Sequence, residues 1–588
     1  MEENFLKPEH YPAAPQRALR KPNFQSGAFL LLILCLTSSP SLAQRVPQPR
    51  AINTKLDQQR IARLDQTIPR LMAEADIPGL SIVLINDAQV VWSRVFGVKN
   101  SETREPVDDN TVFEAASLSK PVFAYAVLQL VDSGKLDLDT PLTRYLPGRY
   151  DVGDDPRLDQ ITARRVLSHT TGFPNWRPRG GQHVDKTLKI YFTPGDRFSY
   201  SGEGFVYLAR VVEHITGEKL DVFMKRTVLD PLGMTSSSYV WQDSYDARKT
   251  FTHDNLGRVS GRGKPEQANA AASLHTTASD YARFVCAIYR SLGAGDQIKA
   301  SGPTSSAASL KPATARSMLT PQINVTDAGV NSLQSPEAKL LPAVSWGLGW
   351  GLEKSDDGVT FWHWGDNGDT KAYVMASEKQ RTAVVMFANS SNGLSIINEV
   401  VEGALGGQHP SLAWINVERY NSPARLMFKA IVKSDAATVL AEYRKSRADA
   451  ETTRSVPTDG SSNVSSASTS ETKDPKSKSR RAEKNLSITE TGSVASGSSK
   501  GSSVRLTERE MNRLGYQLLG LERVKDAIEV FKQNTMDFPE AFNTWDSLAE
   551  AFIVSGDKEQ AIKYYKKSLE LNPANTNAVR KLKELGEG

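Results

Sequence analysis

Apolar residues recur along the chain with two spacings, and each spacing predicts an element. Between Leu56 and Ala73, the residues Ile61, Leu64, Ile68 and Leu71 form one stripe at helical spacing. Pro78-Gly79 ends that helix. Leu80 to Leu84 and Val90 to Phe96 follow as apolar runs parted by Asn86-Asp87, the mark of an antiparallel hairpin. The helical pattern then returns. Pro121 to Leu130 predicts a buried helix closed by Ser133-Gly134-Lys135, with proline tolerated in the first turn. Phe205 to Thr216 predicts another, and Pro231-Leu232-Gly233-Met234 and Ala278-Ser279-Asp280-Tyr281 mark two further helix boundaries. Ala294 to Ser335, rich in Ser, Ala and Pro, is expected to be a surface excursion. Strands are then predicted at Trp346 to Leu352, Val359 to Trp364, Ala372 to Ala376 and Ala383 to Phe387, before a terminal helix at Ile396 to Leu405. Strands early and late with helices between them predict an α/β (α+β) domain. Its single mixed sheet draws on both ends of the segment, is flanked by helices and carries a helical subdomain.

The last third has another character. Ala436 to Ser446 predicts a charged amphipathic helix that opens a second module. Thr452 to Ser503 is dominated by Ser, Thr, Lys and Asp; too few aliphatic residues are present to offset the entropy of ordering, and disorder is expected. Order resumes near Thr507. Ala527, Phe531 and Pro539 recur as Ala561, Tyr565 and Pro573, a constant offset of 34 residues, with Trp545, Leu548, Ala549 and Phe552 filling the second copy. Period and residue types resemble the tetratricopeptide repeat, an all-α helical-repeat module. Small alanines let two helices approach, the aromatic fills the gap and proline ends the hairpin; Val579 to Leu585 would cap the stack. Two copies fall short of the three usually needed, so helix Ala436 to Ser446 or the preceding domain is expected to cover the open end. The module serves either as a peptide-binding groove or as a spacer or dimer contact.

Candidate chemistry centres on Phe113 to Lys120, F-E-A-A-S-L-S-K. Ser117 and Lys120 stand at i and i+3, on one face of a helix, so hydroxyl and amine are within reach of each other. A serine becomes a nucleophile when a neighbour takes its proton, and a lysine takes it where its surroundings favour the neutral amine. The N-terminal end of the helix adds backbone N–H groups and a positive dipole end. The ordinary alternative is a helix cap followed by a solvated lysine. Tyr200, just after the Pro194-Gly195-Asp196 turn, is a candidate second base if cationic neighbours favour phenolate; otherwise it is a packed aromatic. Trp364 and Trp176 either line an aromatic pocket or pack in the core. His169 is read as structural, and Cys286 as a core residue.

Composition narrows the classes. A chain of 588 residues needs more than one domain, and a formal charge of +5 without a basic patch argues against nucleic acid. Cys35 and Cys286 are the two cysteines, and the eight histidines form no metal-binding motif, so neither metal nor cofactor is implied. Arg17, Arg20 and Lys21 precede the short apolar run Ala28 to Leu36 and then Ser41-Leu42-Ala43. This is the pattern of an export signal, with a retained membrane anchor as the alternative.

Ser117-x-x-Lys120, then Tyr200-Ser201-Gly202, then His363-Trp364-Gly365, in that order, resembles the serine β-lactamase and penicillin-binding protein superfamily. The branch is that of class C with related esterases and D-aminopeptidases; L-S-H-T-T-G-F-P at Leu167 to Pro174 and P-L-G-M at Pro231 to Met234 look the same way. The resemblance spans Ile52 to Gly407. It implies that Ser117 attacks an ester or amide carbonyl with Lys120 and Tyr200 moving the protons, through an acyl-enzyme. It implies also that the backbone N–H groups of Ser117 and Asp366 form an oxyanion hole, with Gly365 permitting close approach, and that His363 gives a polar or cationic contact or is merely packed. Two departures matter: Gly202 stands where the family has an asparagine that orients an amide, and His363 where it has lysine. Both rank a small ester or D-amino-acid peptide above a β-lactam.

The organisation expected is a leader at 1–43, the hydrolase domain at 52–420, a helical segment at 421–450, a linker at 451–505 and repeats at 506–588. The expected protein is an exported or membrane-tethered serine hydrolase, with a small-molecule or peptide substrate and a possible protein partner for its repeats. The alternative is a non-catalytic receptor or scaffold that uses the same fold and repeats for binding.

Overall fold

The computed structural model describes residues 55–148, 150–177, 187–293, 309–355, 358–454 and 505–587. The predicted leader and most of the predicted disordered segment lie outside them. The chain divides into two compact units at Ser422 and Pro423.

In the first unit, α1 (Lys55–Ala75) buries Ile61, Leu64, Ile68 and Leu71, the stripe read from the sequence. Each such side chain contributes about 1.5–3 kcal/mol on burial. β1 (Gly79–Asn86) and β2 (Gln89–Gly97) form the expected hairpin. The helical subdomain follows, with α2 (Ser119–Asp132), α3 (Gly202–Thr216) and α4 (Ala278–Ser291) as its main helices. Next come α5 (Pro312–Met318), β3 (Ile323–Thr326), β4 (Leu340–Trp346), β5 (Gly351–Ser355), β6 (Gly358–Asp366), β7 (Lys371–Ser377) and β8 (Thr382–Ala388). The helices α6 (Ile397–Ala404) and α7 (Pro410–Ile415) end the unit.

The strands form one sheet in the order β2-β1-β8-β7-β6-β5-β4-β3. β1 joins β8 from Leu80↔Ala388 to Ile85↔Ala383, so early and late strands share the sheet as expected. The sheet is not mixed, however: every ladder is antiparallel. Its late strands follow one another through short turns, and a short turn can join neighbours only in antiparallel fashion. Alternate residues serve two cores. Val83, Ile85, Val374, Val385 and Phe387 face α2 and α4; Ile82, Leu84, Met375, Val384 and Met386 face α1 and α6.

Three expectations are corrected. Trp346 to Leu352 is not one strand: residues 347–350 form the β4–β5 turn, closed by Gly347 N–H donating to the Trp350 carbonyl (2.8 Å) and by Gly349 at φ +86°, and these glycines break an apolar run that otherwise looks like a strand. The Ser/Ala/Pro-rich excursion includes α5 and β3, which bury Ala315, Met318 and Val325, too few apolar positions to show a period; its residues 294–308 lie outside the described ones. The helix near Ile396 is followed by α7 and is not terminal.

The second unit is helical throughout its described residues: α8 (Pro423–Lys433), α9 (Ala436–Arg454), α10 (Glu508–Gly520), α11 (Val524–Asp537), α12 (Phe542–Ser555), α13 (Lys558–Leu571) and α14 (Thr576–Glu584). Ala527, Phe531, Ala561 and Tyr565 are fully buried between helices, as their spacing predicts. α8 and α9 cover the open end of the repeats. Arg523 donates to the Val432 carbonyl (2.8 Å), Asp526 accepts from the Ala436 N–H (2.7 Å), and Arg444 donates to Gln533 (2.9 Å). α9 runs through Arg454, so Thr452 to Arg454 of the predicted disordered segment are helical; the rest of it lies outside the described residues.

Candidate active site

Ser117 stands in a single 3₁₀ turn, Ala116–Leu118, that leads directly into α2. Ala116 is held at φ +48°, a conformation an L-residue keeps only where its surroundings impose it. The surroundings do so. Tyr281 and Tyr239 donate to the carbonyls of Leu118 (3.0 Å) and Ser119 (2.9 Å), and Ser119 Oγ donates to the Ala116 carbonyl (2.5 Å). Across the turn lies Gly365 of β6, where a Cβ would meet the Ala115 carbonyl oxygen at 2.3 Å. Only glycine lets the strand end that carries Asp366 come this close to the Ser117 turn.

Lys120 is completely buried. Its Nζ lies 3.1 Å from Ser117 Oγ and donates to the Ala271 carbonyl at 2.9 Å. Burial drives its pKa well below that of a free lysine, and no carboxylate pairs with it among the described residues. Around Nζ stand the rings of Tyr200 (4.7 Å to the centroid), Phe205 (5.6 Å) and Trp176 (5.9 Å). A neutral amine donating to Ala271 has its lone pair available for the serine proton.

Tyr200 lies between the rings of His169 (4.2 Å, 26°) and Trp364 (5.0 Å, 35°). Its hydroxyl is buried near Ser117 without a partner in hydrogen-bonding geometry. Burial raises its pKa, the Ser117 hydroxyl opposes that only in part, and the charge of Asp366 adds to it. The condition set for a phenolate base is therefore not met: burial pushes the neighbouring lysine toward its neutral form, and Tyr200 is a phenol that can donate a proton.

His363 is buried in β6. Its Nδ1–H donates to the Trp364 carbonyl (2.7 Å), which leaves Nε2 as an acceptor without a partner. Burial, with the nearby Lys120, lowers its pKa to about 3. The ring supplies no cation, which removes the cationic half of the sequence expectation. Gly202 offers a substrate nothing: it has no side chain, and its N–H is committed to the backbone and side-chain oxygens of Asn175, both at 3.0 Å. Trp364 is buried and packs against the Tyr200 ring. The Asp366 side chain turns outward to Lys371 and the Gly368 N–H (2.8 Å). His169 accepts the Ser201 N–H at Nδ1 (2.9 Å) and so fixes the ring it stacks on.

The Beta-lactamase family profile matches residues 64–397, more than half of the chain. The chain belongs to the beta-lactamase family. It is 30% identical over 205 residues to "Esterase EstB" of Burkholderia gladioli (30% of this chain, 51% of that one). It is 25% identical over 361 residues to "Penicillin-binding protein 4" of Amycolatopsis lactamdurans (59% and 89%). The chain thus spans about half the length of EstB. A solved class C beta-lactamase mutant shares the fold, with a TM-score of 0.50 at 18% identity over 60% of this chain and 98% of that one. A tetratricopeptide repeat profile matches residues 542–575. The chain therefore carries a unit of the beta-lactamase family and fold together with a tetratricopeptide-type helical-repeat module.

Within this beta-lactamase-family unit, sequence reasoning missed a buried ion pair three residues before the serine. Glu114 accepts from Lys249 (2.6 Å) and from Asn367 (3.3 Å), and Asn367 also donates to the Ala272 carbonyl (3.2 Å). One carboxylate thereby ties the Ser117 turn to the strand end after Asp366 and to the loop that receives Lys120. Its signal was a charged residue inside the apolar run Phe113 to Ala116.

Proposed function

We propose that the first unit hydrolyses small, uncharged carboxylic esters through an acyl-enzyme on Ser117. The observation that carries this reading is the Lys120 amine, desolvated and 3.1 Å from Ser117 Oγ. Lys120 takes the Ser117 proton as Oγ attacks the carbonyl carbon, and the resulting oxyanion is received by the Ser117 and Asp366 N–H groups. As the ester bond breaks, Tyr200 gives its proton to the departing alkoxide, and the Lys120 ammonium returns one to Tyr200. Water then attacks the acyl-enzyme; its proton passes to Lys120 and on to the released Ser117 oxygen, so acid and resting enzyme are formed.

Two features favour an uncharged ester over a β-lactam or a peptide ending in D-alanine. Those substrates carry a carboxylate, and the buried, uncharged His363 supplies no positive charge for it. Both also present an amide, and Gly202 provides no group to read it. The test is labelling by a fluorophosphonate, followed by turnover of nitrophenyl esters, D-alanyl peptides and a chromogenic cephalosporin. Labelling lost in Ser117→Ala, with ester turnover and little or no cephalosporin turnover, is the expected outcome. No labelling would return the protein to the receptor reading, and rapid cephalosporin hydrolysis would overturn the ranking. We propose further that the repeats bind a protein or peptide partner and that the chain is exported, which pull-down with the repeat unit intact and cell fractionation would test.

A further inference from the structure

Position 202 is closed by a neighbour. A Cβ there would lie 2.8 Å from the end of the Trp176 indole and 2.9 Å from the Asn175 carbonyl, so no side chain fits. Trp176 is clamped on both sides. Asn175 before it accepts from the N–H groups of Gly202 and Glu203 (3.0 Å each), and Arg177 after it binds the Glu203 carboxylate through backbone N–H (3.1 Å) and guanidinium (2.9 Å). The indole is only half-buried and stands 5.9 Å from the Lys120 amine that contacts the nucleophile.

Three polar acceptors of this wall are already taken within the protein. The Asn175 amide oxygen is taken by Gly202 N–H, Ser201 Oγ by the Gly204 N–H (3.1 Å) and the Pro174 carbonyl (2.9 Å), and His169 Nδ1 by the Ser201 N–H. The Lys120 amine beside Ser117 is meanwhile faced by the rings of Tyr200, Phe205 and Trp176. We infer that Trp176 is a specificity-determining residue: its fixed indole forms an apolar wall that accepts aliphatic acyl groups and rejects those carrying an amide beside the scissile carbonyl. An amide N–H pressed against this wall loses its water and meets ring carbon, these acceptors being already taken. The inference rests on the ester-hydrolase reading and names the acyl class of that site.

The test compares p-nitrophenyl pentanoate with p-nitrophenyl N-acetylglycinate, acyl chains of equal length of which one contains an amide, each corrected for spontaneous hydrolysis. The wild type should favour pentanoate by roughly 10² in kcat/KM. Trp176→Ala should lower that preference to about tenfold or less by admitting water to the wall, while Trp176→Phe, which keeps a ring, should retain most of it. An unchanged preference in Trp176→Ala, with both substrates slowed alike, would overturn the inference, as would a wild type that turns over both esters equally. If the wild type turns over neither ester and takes no fluorophosphonate label, the hydrolase reading fails and the inference with it; labelling with a wrong preference rejects the inference alone.

Discussion

Two buried polar clusters in the first unit obey opposite rules. At Ser117 the groups are neutral and under-used: His169 Nε2, His363 Nε2 and the Tyr200 hydroxyl are buried without partners, and Lys120 has no counter-charge. At Glu353 every charged atom is matched. One carboxylate oxygen meets His409 Nδ1; the other accepts from Ser411 Oγ (2.6 Å) and the Ser411 N–H (3.2 Å), while His409 Nε2 faces the Gly406 carbonyl (2.8 Å). An imidazole with acceptors at both nitrogens carries both protons, so this is an ion pair that fastens the start of α7 to β5. Tyr373 packs beside it, its proton held by burial and by the Glu353 charge. Serine, histidine and a carboxylate are thus present together, yet His409 does not touch Ser411 and no base is free for it. The counter-charge separates the fastening cluster from the reacting one: Glu353 and His409 have each other, whereas Lys120 has none among the described residues; composition does not separate them.

The sharpest way to break this contrast is to remove its two ends. Ser117→Ala or Lys120→Met should lower kcat for nitrophenyl esters by about 10⁴–10⁶ with little change in unfolding midpoint, because each removes a reacting group from the set. Ser411→Ala should leave kcat within a factor of two. A loss of activity in Ser411→Ala matching that of Ser117→Ala would invert the assignment of the two clusters.

Tyr200→Phe comes next. If the phenol supplies only the proton for the leaving group, kcat should fall about 10²–10⁴-fold for an alkyl ester. It should fall much less for a nitrophenyl ester, whose leaving group departs without protonation. An equal loss on both would mean that Tyr200 acts on the serine and not on the leaving group.

The contrast also explains what could be read from the chain beforehand. Ser117, Lys120 and Tyr200 were legible because spacing and order are local properties of sequence, and the α1 stripe and the first hairpin for the same reason. The charge state of His363 was not, since it follows from a burial that no neighbour in sequence announces. Nothing near Trp176 in sequence decides between pocket and core, because its contact is with Gly202, further along the chain, and nothing near Glu114 announces its partner, because Lys249 lies 135 positions away. The β4–β5 turn looks like strand in the sequence because Leu348 and Trp350 are buried like strand residues while Gly347 and Gly349 reverse the chain.

Stability gives the third comparison. Glu353→Ala leaves a charged imidazole buried with one partner, and breaking a buried pair from one side costs about 3–5 kcal/mol. The urea midpoint should drop accordingly, while kcat per folded molecule stays within twofold. A loss below about 1 kcal/mol would show that His409 simply discards its proton and that the pair does not fasten α7.

The smallest effect, and the most direct one, is in the pH dependence of stability. His363 is held to about 3, far below the usual 6.5 of an unfolded histidine, so between those values the unfolded chain binds a proton that the native one refuses. Stability therefore falls as pH drops through that window, by up to about 1.4 kcal/mol per pH unit for this one residue. His409 has the opposite sign. Burial lowers its pKa, but the hydrogen bond and charge of Glu353 outweigh this and the net shift is upward. Its contribution is fully present below the unfolded value and is lost as pH rises through the raised native one. Denaturation midpoints between pH 4 and 8 should accordingly show a flatter acid limb in His363→Asn than in the wild type. They should show a flatter neutral limb, with lower stability at acid pH, in His409→Asn. His275, lowered to about 4, keeps some acid slope in both variants, so the difference from wild type is the quantity that decides. If His363→Asn leaves the acid slope untouched, the imidazole is not held neutral in the folded protein. The case that this site offers a carboxylate no positive charge then falls with it, whatever the esters show.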